Sequence, residues 1–196
     1  MYRFQLDGSL ADTGPAALSL KTGKGTFVAD RHGTAGHAAG AGSCLVFSSF
    51  TNAGSTGAFS FSAWVRPQAS FDLGSRQMFN STYAGFFAFY RTAGVWTMEV
   101  YRGVGDVFFL STTTPAPTGA WTHIAFTYDV AKGAAFYVGG VATTTTGSGP
   151  NSMLTTTTDL SLGCDGSGNL FSGDFDEVTV WSRSLAPWEI AMIAGE

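Results

Sequence analysis

Charge is scarce in this chain. Only 12 % of its 196 residues are Asp, Glu, Lys or Arg, the net charge is −4, and the ten Lys and Arg are scattered. A chain without a basic cluster lacks the electrostatic footprint that nucleic acid or an anionic membrane demands, so neither is an expected partner. No run approaches the roughly 20 apolar residues of a membrane helix, so membrane insertion is not expected. No leader peptide stands out either: Met1-Tyr-Arg-Phe-Gln passes straight into a strand-like run. An exported form would then need a removed leader, another route or a larger parent protein. The three histidines, His32, His37 and His123, have no Cys or Asp nearby in a catalytic spacing. His32 and His37 lie in a Gly/Ala loop, and His123 is expected on a sheet surface. No glycine-rich phosphate loop leads into a helix. Cysteine occurs twice, as Cys44 and Cys164. Two thiols this far apart make no disulfide framework. They read either as small buried residues or as one bridge between neighbouring strands; metal binding through them is not expected.

What is present is Gly (26), Phe (17) and much Thr, a profile of many strands joined by glycine-rich turns. The length suits one domain, 1–196, with a large core. Strand-like runs recur throughout. Tyr2 to Leu6 opens, a weakly periodic Gly/Ala-rich stretch covers Thr13 to Gly42, and Cys44 to Phe47 follows. Phe59, Phe61, Ala63 and Val65 alternate onto one face, and Pro67 ends that strand. Met78 to Asn80 is a short strand. Gly85 to Arg91 and Val95 to Tyr101 flank a turn at 92–94; Trp96, Met98 and Val100 should face inward, and Thr97, Glu99 and Tyr101 outward. Val107 to Leu110 is another strand. In the strand from Trp121 to Asp129, Ile124, Phe126 and Tyr128 share a face. Ala134 to Val138 runs into Gly139-Gly140, a pair suited to a hairpin turn with positive φ. The Thr runs at 143–146 and 155–158 read as exposed strands. This spacing predicts an all-β, two-sheet antiparallel sandwich or jelly roll.

The chain closes on a dense block from Phe171 to Ile190. It reads as a glycine turn, a strand carrying Asp174, Asp176 and Glu177, a bend, and a short C-terminal helix. A carboxylate entering an apolar strand needs a cation, a basic side chain or backbone amides as its partner. Pro187 fits the first helical position and Glu189 the capping-box acid. Ala186 stands at the cap, where it should weaken the helix by about 1 kcal/mol relative to Ser.

Gly173-Asp174-Phe175-Asp176-Glu177-Val178-Thr179-Val180-Trp181, with Arg183, Leu185, Glu189 and Ile190 behind it, resembles the closing block of laminin-G-like, concanavalin A-like jelly-roll domains, and more loosely that of pentraxins. Five other segments agree in order. Tyr2-Arg-Phe4 through Asp12-Thr13-Gly14 resembles the family opening, with one extra residue at Gln5-Leu6. Leu45-Val-Phe47, Phe59 to Val65, Trp121 to Ala125, and Phe136 to Gly140 resemble its successive strands. The resemblance implies two antiparallel sheets packed face to face. Its functions range over carbohydrate binding, adhesion, virion components and glycosidase accessory modules, so fold alone does not select one.

The glucanase relatives carry E-x-D-x-x-E on one strand. This chain has four glutamates, Glu99, Glu177, Glu189 and Glu196, and no second carboxylate two residues from Glu99. Catalysis is therefore not expected. The resemblance implies a calcium site with Asp12 and Asp176 as carboxylate ligands, clipping the two chain ends together through hard oxygen donors. The alternative is that Asp176 accepts loop amides and Asp12 caps a turn; Asp7 is a third candidate ligand, although Asp7-Gly8 reads more simply as a turn. For a sugar, the candidates are Tyr90, Tyr101 and Arg102 on a sheet face, Tyr83 in a loop, and the rim at Asp165, Ser167 and Asn169. The expected function is a non-catalytic, lectin-like module that binds carbohydrate and is stabilised by calcium. A structural or adhesive protein, such as a virion decoration or surface-assembly subunit with a protein partner, is the alternative. Either role belongs outside the cell, at a cell surface or on a virion.

Overall fold

The computed structural model describes residues 1–29, 33–39, 44–51, 57–68, 76–80, 87–103, 106–147, 157–164 and 171–195. In chain order the strands are β1 Tyr2–Phe4, β2 Ser19–Thr22, β3 Thr26–Ala29, β4 Thr34–Ala39, β5 Leu45–Thr51, β6 Ala58–Pro67, β7 Arg76–Asn80 and β8 Phe87–Thr92. They continue as β9 Val95–Gly103, β10 Asp106–Pro115, β11 Thr122–Asp129, β12 Gly133–Val138, β13 Val141–Ala142, β14 Thr145–Gly147, β15 Thr157–Leu162 and β16 Ser172–Trp181. Helix α1, Pro187–Ala194, follows. Sheet A has the order β13-β12-β11-β6-β16-β4-β3, with β1 also pairing β16; sheet B has the order β14-β10-β9-β8-β7-β15-β5-β2. Every pairing is antiparallel among the described residues.

Period-two alternation builds the core. Phe59, Phe61, Ala63 and Val65 of β6 and Ile124, Phe126 and Tyr128 of β11 are buried, and so are Trp96, Met98 and Val100 of β9 from the opposite sheet. The fillers are mostly phenylalanines in ring contact, among them Phe61 on Phe79 at 5.1 Å and Phe89 on Trp96 at 5.5 Å between centroids. Each fully buried ring of this size contributes about 1.5–3 kcal/mol over an exposed one. The Gly139-Gly140 turn has φ 58° and 79°, the left-handed pair that joins twisted hairpin strands without splaying them.

The stretch from Thr13 to Gly42, read as weakly periodic, contains β2, β3 and β4. Its pattern is faint because small residues stand under large neighbours. A Cβ at Gly36 would lie 3.0 Å from the Phe175 ring and 3.2 Å from Leu6. His123 also departs from expectation. It is 1 % exposed, wedged edge-on against Trp64 at 5.4 Å, because β11 is an interior strand flanked by β6 and β12. Thr97 is on the expected face but buried, its hydroxyl 2.9 Å from Ser111 on the neighbouring strand. Strand β1 stops at Phe4, and Leu6 adopts φ 58° instead of extending it.

The closing strand β16 is the hub of sheet A. On one side it pairs with β6; on the other it pairs first with β4, through Ser172 to Phe175, and then with β1, through Val178 to Val180. A β-bulge between Asp176 and Thr179, with Glu177 at φ 47°, marks the change of neighbour. The two acids thus sit inside a ten-residue strand and not at its mouth.

Candidate functional site

The outer face of sheet B is the first candidate surface. Phe108 and Phe109 are adjacent in β10, so one must face the core and the other away from it. Phe108 is buried and Phe109 is 48 % exposed. Phe109 pairs in register with Glu99, Ser111 with Thr97 and Val107 with Tyr101. An exposed ring is therefore set among a half-buried carboxylate, a half-buried tyrosine and a pair of hydroxyls. The adjacent strand brings the backbone of Tyr90 opposite Thr97. Arg102 does not join this group: it follows Tyr101 on the other side of the strand, and its Nη2 lies 2.5 Å from Asp106 Oδ1. Tyr83, Asp165 and Asn169 lie outside the described residues. The Phe108-Phe109 dipeptide was the sequence signal for the exposed ring.

Sheet A carries a polar row on its outer face. Register aligns His37 of β4, Asp174 of β16 and Arg66 of β6. The Asp174 carboxylate, 8 % exposed, meets His37 Nδ1 at 2.5 Å through Oδ1 and Arg66 Nε at 2.7 Å through Oδ2. The Arg66 guanidinium in turn lies 5.0 Å over the Trp121 ring. One rung further on, Asp176, Trp64 and His123 align in the same way. With both Asp174 oxygens held, it is an ion-paired latch between strands. A glycosidase carboxyl would instead face its mate across a cleft.

Asp12 organises the opening loop. Its Oδ1 accepts the amides of Arg3 at 2.9 Å and Gly14 at 2.8 Å, and its Oδ2 accepts that of Leu18 at 2.8 Å. Asp176 Oδ1 accepts the amide of Glu177 at 2.8 Å, inside the bulge. Asp7 stands in the turn closed by the Gly8 amide on the Leu6 carbonyl at 2.8 Å, with Gly8 at φ 72°. Three backbone amides thus satisfy the Asp12 carboxylate. No group of three or more His, Cys, Asp and Glu among the described residues could hold a metal ion.

Helix α1 covers part of sheet A, with Leu185 and Ile190 packed on Ala125 and Tyr137. Pro187 opens it, and Ala186 offers no side-chain cap. Glu189 compensates from the other half of the capping box: its Oε2 accepts the Ala186 amide at 2.8 Å, and Arg183 grips both carboxylate oxygens at 2.6 and 2.8 Å. Arg183 foremost, then the Ala186 amide, hold the Glu189 carboxyl down to about 2. A carboxyl lowered on folding stabilises the fold above its ordinary range near 4.5, and loses that contribution as pH falls toward 2. The protection of the amides at the start of α1, taken relative to the intrinsic exchange rate at each pH, should accordingly fall between pH 4.5 and 2 in wild type. Glu189→Gln should remove most of that pH dependence; an unchanged profile in the variant would refute the assignment.

Comparison with known proteins agrees with this architecture. Residues 39–191 match the laminin G family model described as the concanavalin A-like lectin/glucanases superfamily. Adhesion G-protein coupled receptor D1 of Bos taurus is 32 % identical over 99 residues, which are 50 % of this chain and 11 % of the receptor. The Homo sapiens receptor is 31 % identical over 105 residues, 52 % of this chain and 12 % of the receptor. Among solved structures, the receptor binding domain of botulinum neurotoxin C/D mosaic serotype superposes with TM-score 0.79 at 12 % identity, covering 99 % of this chain and 50 % of that one. The binding domain of Paraclostridial Mosquitocidal Protein 1 gives 0.77 at 15 % identity, over 98 % and 51 %. Botulinum neurotoxin serotype D ligand binding domain, solved in complex with N-acetylneuraminic acid, gives 0.77 at 12 % identity, over 100 % and 50 %. This chain thus spans about half of the toxin domains and about a tenth of the receptors. At these identities the toxin structures establish the two-sheet sandwich with its short C-terminal helix. By its matched sequence, its two sheets and its closing block, the chain belongs to the laminin G family of the concanavalin A-like lectin/glucanases superfamily.

Proposed function

We propose that this domain is a non-catalytic recognition module that binds glycan on the outer face of sheet B. The observation that carries this reading is Phe109, a large ring 48 % exposed on an antiparallel sheet and flanked by Glu99, Tyr101 and the Thr97–Ser111 hydroxyl pair. A ring of this kind stacks on the apolar face of a sugar, and the neighbouring polar groups take its hydroxyls. The toxin binding domains of the same fold support the reading, one of them having been solved with N-acetylneuraminic acid. A glycan array tests it. Wild type should capture at least one sugar, and Phe109→Ala or Tyr101→Ala should weaken capture about tenfold, the loss expected for one good stacking contact. No capture at millimolar sugar would overturn it. It would turn attention to a protein partner, for which the exposed Trp188 and Met192, 64 % and 62 % exposed on α1, are the favoured surface. The Cys44–Cys164 bridge fits work outside the reducing cytosol.

Calcium enters this reading only as a stabiliser at Asp12 and Asp176. To bind there it would have to compete with the amides that now hold both carboxylates. A ligand that binds only the folded state raises Tm by mass action. If the amides suffice, millimolar calcium leaves Tm unchanged within about a degree; a rise of several degrees, abolished by Asp12→Asn, would establish the ion.

A further inference from the structure

A concavity lies on the opposite sheet. Between the β11–β12 hairpin and the start of α1 runs a groove of about 420 Å3, within the size range of small-molecule sites. Its floor is the outer face of β11 and β12, where Thr127 pairs with Ala135 and Tyr137 follows two residues on. The hairpin from Lys132 to Ala134 forms one wall, and Ser184 to Pro187 with Glu189 forms the other. The segment at Ser184 is fixed to the sheet: the Ser60 hydroxyl donates to the Arg183 carbonyl at 2.9 Å and accepts the Leu185 amide at 2.8 Å.

Thr127 and Tyr137 are each only 5 % exposed. Both line the groove, and each hydroxyl, bonded to no described residue, keeps contact with solvent. Water serves these two hydroxyls in the free protein, and a ligand that lies on this floor can replace that water with hydroxyls of its own. The charges at the rim each have an opposite partner. Lys132 Nζ lies 3.4 Å from Asp129, and Glu189 is held by Arg183 and the Ala186 amide. What the groove offers is therefore neutral: hydroxyls that both donate and accept, beside the small apolar surfaces of Ala134, Ala135, Leu185 and Pro187. A sugar ring matches this, with hydroxyls on its rim and C–H groups on its faces.

We propose that the groove is a second binding site, for a neutral saccharide unit. The proposal rests on the glycan-recognition reading but not on the sheet B face. Saturation-transfer NMR against oligosaccharides ending in glucose, galactose, mannose or N-acetylglucosamine tests it, on wild type, Thr127→Val, Tyr137→Phe and Phe109→Ala, each first shown to melt like wild type. At least one neutral sugar should bind wild type and give saturation transfer from groove residues that persists in Phe109→Ala, whatever that variant loses on the sheet B face. Its Kd should rise about tenfold in both Thr127→Val and Tyr137→Phe, as expected when a hydrogen bond to a buried group is lost. If sugars bind wild type but the two groove variants bind equally well, or if only acidic sugars bind, the groove proposal is overturned while the lectin reading stands. If no sugar binds wild type, both are overturned.

Discussion

Replacing Cys44 and Cys164 together by serine should lower the unfolding free energy by about 3–5 kcal/mol. The two residues are joined as a disulfide across a sequence separation of 120. Cross-linking so long a loop removes much of the conformational freedom of the unfolded chain, and the loop-entropy relation puts its upper range near 5 kcal/mol. The paired strands bring the two ends of the bridge together. Cys44 precedes β5 and Cys164 follows β15, and Leu45 pairs with Leu162 in register, which leaves the two Cα atoms 5.3 Å apart, inside the usual span of a disulfide. In a domain of this size the loss corresponds to a Tm drop of roughly 10 °C. Reductant should reproduce it in wild type and have no effect on the double variant. A drop below about 3 °C would show that the hydrogen-bonded β5–β15 pair alone constrains these loops. The same bridge separates the two open readings of the cysteines in favour of pairing, and it ties the domain's stability to an oxidising environment.

The second large effect is expected at Asp174. Its carboxylate is the common acceptor for two side chains on two different strands, and it is 8 % exposed, against 23 % for His37 and 33 % for Arg66. Removing one member of a buried, hydrogen-bonded ion pair leaves the other desolvated without compensation, at a cost of about 3–5 kcal/mol. His37 and Arg66 reach solvent in part, so Asp174→Ala should cost about 3 kcal/mol, at the lower end of that range. Asp174→Asn should cost less, because an amide oxygen still accepts from Arg66. The damage should be local first. Strand β4 is held to sheet A through β16, so amide exchange in β3 and β4 should quicken more than in β11 and β12. A loss below about 1 kcal/mol, or exchange that rises evenly across the sheet, would show that the row is decoration and not a latch.

These two sites show where one-dimensional reading succeeded and where it stopped. Alternation in Phe59–Val65, Val95–Tyr101 and Trp121–Asp129 assigned the inward faces correctly, because a strand buried on one side must repeat every two residues. The Gly139-Gly140 hairpin was equally legible, since its backbone needs positive φ. The helix start at Pro187 and Glu189 could be read from the chemistry of helix ends. Strand β4 was not legible, because Gly36 is dictated by Phe175 and Leu6, which pack on it from distant parts of the chain. His123 was misplaced for a related reason: alternation says which face a residue is on, and not whether other groups cover that face.

The candidate sites divide along the same line. The sequence alone determined the sandwich, the laminin G membership and the absence of the E-x-D-x-x-E motif, because each depends on residue type and short-range order. Only the tertiary structure decided that Cys44 meets Cys164, that Asp174 is shared by His37 and Arg66, that Asp12 is enclosed by amides, and that Phe109 stands exposed while Thr127 and Tyr137 open into a groove. Each of these is a contact between strands far apart in the chain. Antiparallel register sets such contacts, and register is a property of the assembled sheet, not of any one strand.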